Sequence, residues 1–305
     1  MRPFRFGVSI RRAASADAWW TTAQRAEELG YDILLMPDHL GSQFSPIAAL
    51  TAAAVATTRL RVGTYVLAND FRDPLVLARE AATLDVLSGG RFELGLGAGW
   101  SVADYHMIGR PYDTPPRRID RLTEAAPLVK RLLAGETIDH DGLHYRLNGA
   151  HTGLAPVQKP RVPLLIGGGG ARMLRLAATE ADIVAIQQQF DPEGHPIPGE
   201  ATEAAIEAKV AIVREAAGPR IAQLELNMII FDAALVGSRR GGPGLLRAAV
   251  KSVVRSGTPY FLYGTLGQVR DRLLRRRDRL GISYYTIPGH AMEAMAPLVE
   301  TLAGR

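Results

Sequence analysis

The sequence predicts a closed (β/α)8 barrel, and three observations support that fold class. Short β-rich runs alternate along the chain with Ala-, Leu- and Arg-rich segments that have helical periodicity. Eight such strand–helix units fit within 305 residues, a usual size for one barrel domain. Several helical segments end just before the next strand at a glycine, namely Gly30, Gly89, Gly90 and Gly281. An open doubly wound sheet is the alternative arrangement of the same units.

The predicted elements follow one another in a regular order. The predicted strands cover residues 4–10, 32–36, 60–66, 91–96, 162–166, 182–186, 224–231 and 282–287. The predicted helices cover residues 15–29, 46–57, 74–87, 120–134, 171–180, 201–217, 244–256, 266–280 and 291–303. Residues 136–150 have the pattern of a hairpin-like insertion, and residues 188–200, rich in Gly and Pro, form a long loop after the sixth strand. We expect a single domain over residues 1–305.

The composition is typical of a soluble globular protein. Hydrophobic residues make up 47% of the chain and charged residues 22%. No run of about 18 apolar residues predicts a membrane span, and the stretch MRPFRFGVSIRR is too short and too charged for a secretory leader. The absence of cysteine excludes disulfides, cysteine-ligated zinc and thiol chemistry. We expect a cytoplasmic protein.

The net charge of +5 does not indicate a nucleic-acid partner. The densest basic patch, DRLLRRRDRLGI at residues 271–282, has leucines at helical spacing with arginines between them. This pattern predicts an amphipathic helix with a solvated basic face, and no signature of base recognition accompanies it. We expect a small-molecule substrate, no nucleic acid and no membrane, although a diffuse positive field favours an anionic ligand.

The apolar run ILLMPDHLG, residues 33–41, ends in two polar side chains, Asp38 and His39. Reactive groups of barrel enzymes follow the C-terminal ends of the strands, so we expect this pair at the mouth of the barrel. His39 is then a candidate to give or take a proton near pH 7, with Asp38 orienting its ring or binding a ligand. The alternative is a turn in which Asp38 caps backbone amides and His39 is merely packed.

Two glycine-rich stretches follow later strands. In RFELGLGAGW, Gly95, Gly97 and Gly99 alternate at the end of the fourth strand, which indicates either a close approach to something bulky or a tight bend. In LLIGGGGARMLRLA, four glycines lead into a helix. Backbone N–H groups at that helix N-terminus, with Arg172 beside them, form a candidate phosphate site; a floppy connection is the alternative.

The remaining histidines are weaker candidates. His195 and His290 fall in predicted loops on the mouth side, where they are candidate substrate contacts. His140 and His144 lie near acidic residues in the predicted hairpin, and there we expect no metal site.

Taken together, these stretches resemble the luciferase-like monooxygenase superfamily, and within it the coenzyme F420 (deazaflavin)-dependent oxidoreductases. The matching stretches include YDILLMPDHL, the segment from VGTYVLANDFRDP to GRFELGLGAGW, PLLIGGGGARMLRLAATEADIV and FLYGTLGQVRDRLLRRRDRLGISYYTI. Single pieces are weak indicators, whereas their order and spacing over almost the whole chain are specific. The resemblance implies a barrel that holds a flavin-like ring in its mouth.

The resemblance also implies roles for residues at the mouth. A non-proline cis peptide behind the central ring maps onto Tyr65–Val66. Asp38 and His39 match an acid–histidine pair beside the reactive part of the deazaflavin. Two further stretches are implied to contact the cofactor, one near the ring and one around its phosphate. They consist of Ala98 and Gly99, and of Gly168, Gly169 and Gly170, respectively.

One residue departs from the pattern of the family. Its sugar-phosphate dehydrogenases carry a catalytic Glu directly after the position of Gly99, where this chain has Trp100. We therefore expect a more apolar substrate than glucose 6-phosphate, with Trp100 as a candidate substrate contact. The implied function is hydride transfer between the deazaflavin and a small organic substrate in a homodimer, with His39 as proton donor or acceptor and Asp38 as its partner.

Two alternatives to this function stay open. An FMN-dependent two-component monooxygenase uses the same barrel and phosphate loop. A non-catalytic protein that binds deazaflavin or a hydrophobic ligand is compatible with Trp100.

Overall fold

The computed structural model describes residues 1–191, 194–236 and 258–305. Its strands are β1 (Arg5–Ser9), β2 (Ile33–Met36), β3 (Arg61–Thr64), β4 (Leu67–Ala68), β5 (Phe92–Gly97), β6 (Ile138–Asp141), β7 (Arg146–Ala150), β8 (Leu164–Gly168), β9 (Ile183–Ile186), β10 (Glu225–Ile229), β11 (Asp232–Leu235), β12 (Phe261–Gly264) and β13 (Ile282–Pro288). Its helices are α1 (Ala16–Glu28), α2 (Pro46–Val55), α3 (Pro74–Leu87), α4 (Val102–Met107), α5 (Pro115–Leu133), α6 (Ala171–Glu180), α7 (Glu203–Ala217), α8 (Leu266–Leu280) and α9 (Met292–Leu302). The predicted helix at 244–256 lies outside the described residues. Among the described helices, none combines the length and the apolar character needed to cross a bilayer.

Eight of the strands form a closed parallel barrel. Their order around the ring is β1, β2, β3, β5, β8, β9, β10 and β13, and β13 pairs with β1. The ring closes because β3 pairs with β5 through Val62–Phe92 and Gly63–Glu93. The predicted (β/α)8 barrel is confirmed, and the open doubly wound sheet is wrong.

Residues of the barrel strands alternate between the barrel interior and the surrounding helices. In β2, Ile33 and Leu35 belong to the small interior cluster, whereas Leu34 and Met36 belong to the larger core that includes helix residues. All four side chains are buried, as expected for a parallel strand that is covered on both faces. This double burial explains the continuous apolar run that precedes Asp38.

Two small sheets lie outside the barrel. Strands β6 and β7 form an antiparallel hairpin within the segment 136–150. Strands β11 and β12 form a parallel pair that the sequence did not predict. Each has four residues, and both lie outside the barrel, so the strand–helix alternation that predicts the barrel does not include them.

The N-terminal rim of the barrel is closed by buried charges. Arg5 pairs with Glu93 and Glu225 at 2.5 and 2.6 Å, and Arg61 pairs with Glu93 at 2.7 Å. Burial works to raise the pKa of Glu93, but the two guanidinium groups outweigh it and hold that pKa below its ordinary value. These charges come from the starts of barrel strands, so they lie at the end of the barrel opposite to His39.

Candidate active site

Most of the predicted site residues follow the C-terminal ends of barrel strands. Asp38 and His39 come directly after β2 and Pro37, Trp100 comes after β5, and Gly168 ends β8. Because the barrel strands are all parallel, these ends share one rim. The structure therefore brings the candidate residues of the mouth to the same end of the barrel.

Asp38 is not the partner of His39. Its buried carboxylate accepts hydrogen bonds from the guanidinium of Arg72 at 2.6 and 3.1 Å and from the backbone N–H of Ala68 at 3.0 Å. Neighbouring side chains that leave a strand project to opposite sides, which separates the two groups. The expected Asp38–His39 pairing is wrong, and Asp38 instead ties the loop after β2 to the segment around β4.

His39 pairs with Asp104 of α4. Its Nδ1 lies 2.8 Å from Oδ2 of Asp104, while Oδ1 of Asp104 accepts a hydrogen bond from the backbone N–H of Leu40 at 3.1 Å. Burial works to raise the pKa of Asp104, but hydrogen bonds from His39, Leu40 and Ser101 outweigh it and hold that pKa below its ordinary value. An ionised carboxylate therefore faces the imidazole.

Three aromatic rings continue from His39 across the mouth. Trp100 meets His39 edge to face with ring centroids 5.6 Å apart, and it stacks on Phe190 at 6.0 Å. Phe190 in turn meets Phe231 at 5.9 Å. We call Trp100, Phe190 and Phe231 the aromatic wall. Its members follow β5, β9 and β10, so they give this side of the mouth an apolar lining.

The third barrel strand is interrupted at the mouth. A cis peptide joins Tyr65 to Val66 between β3 and β4, as the resemblance implied. A Cβ added to Gly97 would lie 2.7 Å from Cγ2 of Val66, and one added to Gly167 would lie 3.2 Å from its Cγ1. These glycines therefore make room for the bulge of the chain's own third strand.

The segment Ala98–Gly99 packs against α4. Gly99 has a φ of +79°, and a Cβ there would collide with the hydroxyl of Tyr105. That hydroxyl donates a hydrogen bond to Asp70 at 2.9 Å and lies 3.4 Å from the carbonyl oxygen of Ala98. The close approach predicted from the alternating glycines is thus an approach to the protein itself.

The glycine loop, Gly168 to Gly170, packs tightly against neighbouring residues. A Cβ on Gly168 would lie 2.7 Å from Cβ of Met173, and one on Gly169 would lie 2.5 Å from the carbonyl oxygen of Gln187. Gly170 is the N-cap of α6 and has no side chain to accept a hydrogen bond from the first turn. Because this turn has no side-chain cap among the described residues, its N–H groups can receive an anion.

Arg172 contributes less charge to this loop than the sequence suggested. Its half-exposed guanidinium forms an ion pair with Asp120 and donates a hydrogen bond to the carbonyl oxygen of Pro116 at 3.2 Å, both in α5. Because Asp120 offsets the positive charge, an anion at the glycine loop would depend mainly on backbone N–H groups.

A buried lysine fixes the loop that carries Phe190. Lys209 of α7 donates to the carbonyl oxygen of Gln187 at 2.8 Å and forms an ion pair with Glu200. The other carboxylate oxygen of Glu200 accepts a hydrogen bond from the side chain of Gln189 at 2.9 Å. Residues at both ends of the loop are therefore tied to α7.

The two other predicted histidines are paired with carboxylates. His195 lies 3.2 Å from Asp191, and Nε2 of His290 lies 2.8 Å from Oδ1 of Asp232. Within the described part of the chain, no hydrogen bond joins either ring to His39, and no cluster of three or more His, Asp or Glu side chains is placed to hold a metal. Their roles as substrate contacts stay predictions.

A family model described as luciferase-like monooxygenase matches residues 1–227. The chain belongs to this family. Among solved structures, the coenzyme F420-dependent tetrahydromethanopterin reductase from Methanopyrus kandleri superposes with a TM-score of 0.77 at 18% identity, over 98% of this chain and 99% of that one. That similarity shows a shared fold.

Two curated relatives are closer in sequence. An F420-dependent glucose-6-phosphate dehydrogenase from Microbacterium testaceum is 35% identical over 176 residues, which cover 55% of this chain and 52% of the relative. A 5,10-methylenetetrahydromethanopterin reductase from Archaeoglobus fulgidus is 31% identical over 186 residues, which cover 61% of this chain and 52% of the relative. The chain spans about half the length of the curated relatives it matches.

In this luciferase-like chain, sequence reasoning missed Asp104, Arg72 and Phe190 at the mouth. Asp104 had a usable signal, since an acidic residue that closely follows a barrel strand is a mouth candidate by the same rule that selected His39. Phe190 lies in the long loop that was recognised after the sixth strand, but its ring contacts depend on the fold.

Proposed function

We propose that this chain is an F420-dependent oxidoreductase that acts on a small, fairly apolar organic substrate. The observation that carries the proposal is the shared rim, where His39, the Tyr65–Val66 bulge and the glycine loop all follow the C-terminal ends of barrel strands. The name of the Microbacterium testaceum relative supports deazaflavin rather than FMN as the cofactor.

The residues of the rim suit a deazaflavin with a phosphate-bearing tail. Backbone N–H groups of the glycine loop and of the first turn of α6 would hold the phosphate. Tyr65, Val66, Ala98 and Gly99 would contact the ring. When bound, the deazaflavin supplies the hydride-transfer chemistry, while the protein binds, orients and moves the proton.

His39 is the acid–base residue in this proposal. Imidazole exchanges a proton near neutral pH, and His39 lies beside Trp100 at the rim. It would take the proton of the substrate in one direction of the reaction and return it in the other. Asp38 acts indirectly, because its bonds to Arg72 and Ala68 hold the loops that flank the site.

The aromatic wall favours an apolar substrate. Trp100 occupies the position at which the sugar-phosphate dehydrogenases of the resembled family carry a catalytic Glu. Its ring stacks on Phe190. An indole next to the catalytic imidazole offers apolar surface and no charge for a sugar hydroxyl. Glucose 6-phosphate is therefore a poor substrate under this proposal.

Titration of the purified protein with F420 and, separately, with FMN tests the cofactor assignment. We expect saturable binding of F420 and binding of FMN that is weaker by about tenfold, or 1.4 kcal/mol. If neither cofactor binds, the proposal is contradicted. Tighter binding of FMN would favour the two-component monooxygenase.

A panel of small alcohols and carbonyl compounds, followed through the deazaflavin absorbance, then tests turnover. F420 binding without any turnover would favour the non-catalytic binder.

We also propose that the chain works as a homodimer in the cytoplasm. The exposed apolar side chains Val55 of α2 and Val76 and Leu87 of α3 support an interface on these two helices. Sedimentation velocity of the protein tests the assembly, and a monomer at micromolar concentration would contradict it.

A further inference from the structure

We infer that Asp104 is a positioning residue that keeps the proton of neutral His39 on Nδ1, so that Nε2 is the nitrogen that exchanges protons at the barrel mouth. Its catalytic meaning rests on the proposed function, whereas the assignment of the proton concerns the protein alone. Asp104 lies 65 residues after His39 in a helix of six residues.

Both oxygens of the Asp104 carboxylate have a hydrogen-bond partner. Oδ2 lies 2.8 Å from Nδ1 of His39, and Oδ1 accepts the backbone N–H of Leu40 at 3.1 Å. An ionised carboxylate can only accept hydrogen bonds. The lowered pKa of Asp104 keeps it ionised at neutral pH, although burial opposes this. Nδ1 must then carry the hydrogen, and the lone pair of the neutral ring lies on Nε2.

The other ring nitrogen of His39, Nε2, has no hydrogen-bond partner among the described residues. Over residues 1–191, 194–236 and 258–305, Nδ1 is the only ring nitrogen of His39 with a hydrogen-bond partner. The side chain is one-quarter exposed, and Trp100 meets the ring at an interplanar angle of 87°. The imidazole is thus held by Asp104 and by Trp100 while Nε2 is left for a ligand.

Neighbouring contacts fasten the short helix that carries Asp104. The hydroxyl of Tyr105 donates to Asp70 at 2.9 Å, and Arg121 donates to both oxygens of that carboxylate at 2.9 and 2.6 Å. Arg110, just after α4, donates to the backbone carbonyl of Asp70. The position of Asp104 is therefore fixed by the loop that follows β4 and by α5.

The substitution Asp104→Asn should move the hydrogen of neutral His39 from Nδ1 to Nε2. The backbone N–H of Leu40 can only donate, so it takes the single amide oxygen. The amide NH2 then faces Nδ1 of His39 and donates to it, which forces the ring hydrogen onto Nε2. A neutral amide of the same shape thus presents the wrong tautomer to a substrate, as is known for the Asp–His pairs of serine proteases.

Long-range 15N–1H correlation spectra of the cofactor-free protein with 15N-labelled histidine test this assignment, with the His39 signals identified through His39→Gln. We expect the Nδ1–H tautomer in the wild type, the Nε2–H tautomer in Asp104→Asn, and loss of the pure Nδ1–H form in Asp104→Ala. The control Asp113→Asn changes an acid of the same segment that binds Arg121 and not His39, and it should keep the wild-type pattern. An Nε2–H wild type, or a pattern that neither Asp104 variant changes, would overturn the inference.

Turnover provides a second and separable readout. With F420 and a working substrate, we expect Asp104→Asn to lower kcat by about 100-fold or more and to leave the dissociation constant of F420 within about threefold. A wild-type kcat in a variant with the inverted tautomer overturns the catalytic part. Failure of the wild type to bind F420 contradicts the proposed function and leaves the spectral result intact.

Discussion

The guanidinium of Arg72 donates two hydrogen bonds to the carboxylate of Asp38, at 2.6 and 3.1 Å, and so joins the loops that follow two adjacent barrel strands. We expect Asp38→Asn to lower the free energy of unfolding by about 3 kcal/mol, because removal of one partner leaves the other charge buried and unpaired. Urea denaturation measures the change. As a control, Asp141→Asn removes an exposed ion pair with Arg146 and should produce no measurable change. Equal effects of the two variants would contradict a structural role for Asp38.

The proposed acid–base role of His39 predicts a split between binding and turnover. In His39→Gln we expect kcat to fall by about 100-fold or more, because a glutamine amide cannot exchange a proton near neutral pH. The dissociation constant of F420 should stay within about threefold, since the proposed phosphate contacts and most of the ring contacts come from other residues. Stopped-flow hydride transfer and a fluorescence titration measure the two quantities. A variant that loses affinity in proportion to its rate would indicate that His39 serves binding.

The proposed phosphate site at the glycine loop predicts that Gly169→Ala weakens only the binding of ligands that carry the phosphate. A methyl group on Gly169 would lie 2.5 Å from the carbonyl oxygen of Gln187, so Gly169→Ala must displace the loop. We expect F420 to bind about tenfold more weakly, in line with an interaction of roughly 1–2 kcal/mol at a helix N-terminus. A deazaflavin that lacks the phosphate tail should bind the variant and the wild type equally well.

A matched glycine supplies the control for that experiment. Nothing lies within 4 Å of a Cβ added to Gly267 in α8, and Gly267→Ala should bind both ligands like the wild type. If Gly169→Ala weakened the tail-free ligand as much as F420, the loop would not be a phosphate site.

The aromatic wall predicts a loss of affinity for apolar substrates. Trp100→Ala removes the rings that contact His39 and Phe190. At about 25 cal/mol per Å², loss of some 50 Å² of contact with the substrate corresponds to about 1.3 kcal/mol. We therefore expect kcat/KM for an apolar substrate to fall by about tenfold, while Trp20→Ala on α1 should leave it unchanged. An increase in kcat/KM would show that Trp100 obstructs the site.

The buried charges of the N-terminal rim predict a pH-dependent difference in stability. The folded pKa of Glu93 is lowered, so its stabilisation is complete above the unfolded pKa of about 4.3 and is lost as the pH falls through the folded pKa. At pH 7 we expect Glu93→Gln to lower the free energy of unfolding by about 3 kcal/mol, because it leaves Arg5 and Arg61 without their shared partner. The difference from the wild type should shrink steadily below pH 4, as measured by urea denaturation. A constant difference would show that the charge of Glu93 does not stabilise the fold.

Local patterns were sufficient to predict the barrel and the end of the barrel at which the candidate site lies. The period of the apolar residues and the glycines at helix ends located each barrel strand to within a few residues, because both signals are local. The same signals placed His39 directly after β2. Strands β11 and β12 were missed, because they pair with each other outside the barrel and do not belong to its strand–helix alternation.

The contacts within the candidate site could not be predicted from local sequence patterns. Adjacency in sequence suggested that Asp38 was the partner of His39, but side chains that follow a strand alternate in direction. Asp104 and Arg72 reach their partners only after the β5 and β4 loops have been brought to the same rim. Likewise, the alternating glycines predicted a close approach, while only the folded chain shows Val66 and Tyr105 as the groups that approach.

The loop after β9 belongs to two parts of the rim at once. Its residue Gln187 offers the carbonyl oxygen that packs on Gly169, and three positions later Phe190 stacks on Trp100. Lys209 donates a hydrogen bond to the carbonyl oxygen of Gln187 and forms an ion pair with Glu200. Exchange of Phe190 and its neighbours without Lys209 is therefore expected to disturb the contact between Gln187 and Gly169 of the glycine loop. Laboratory evolution of the wall should consequently select changes at Trp100 or Phe231 more readily than in the stretch between Gln187 and Glu200.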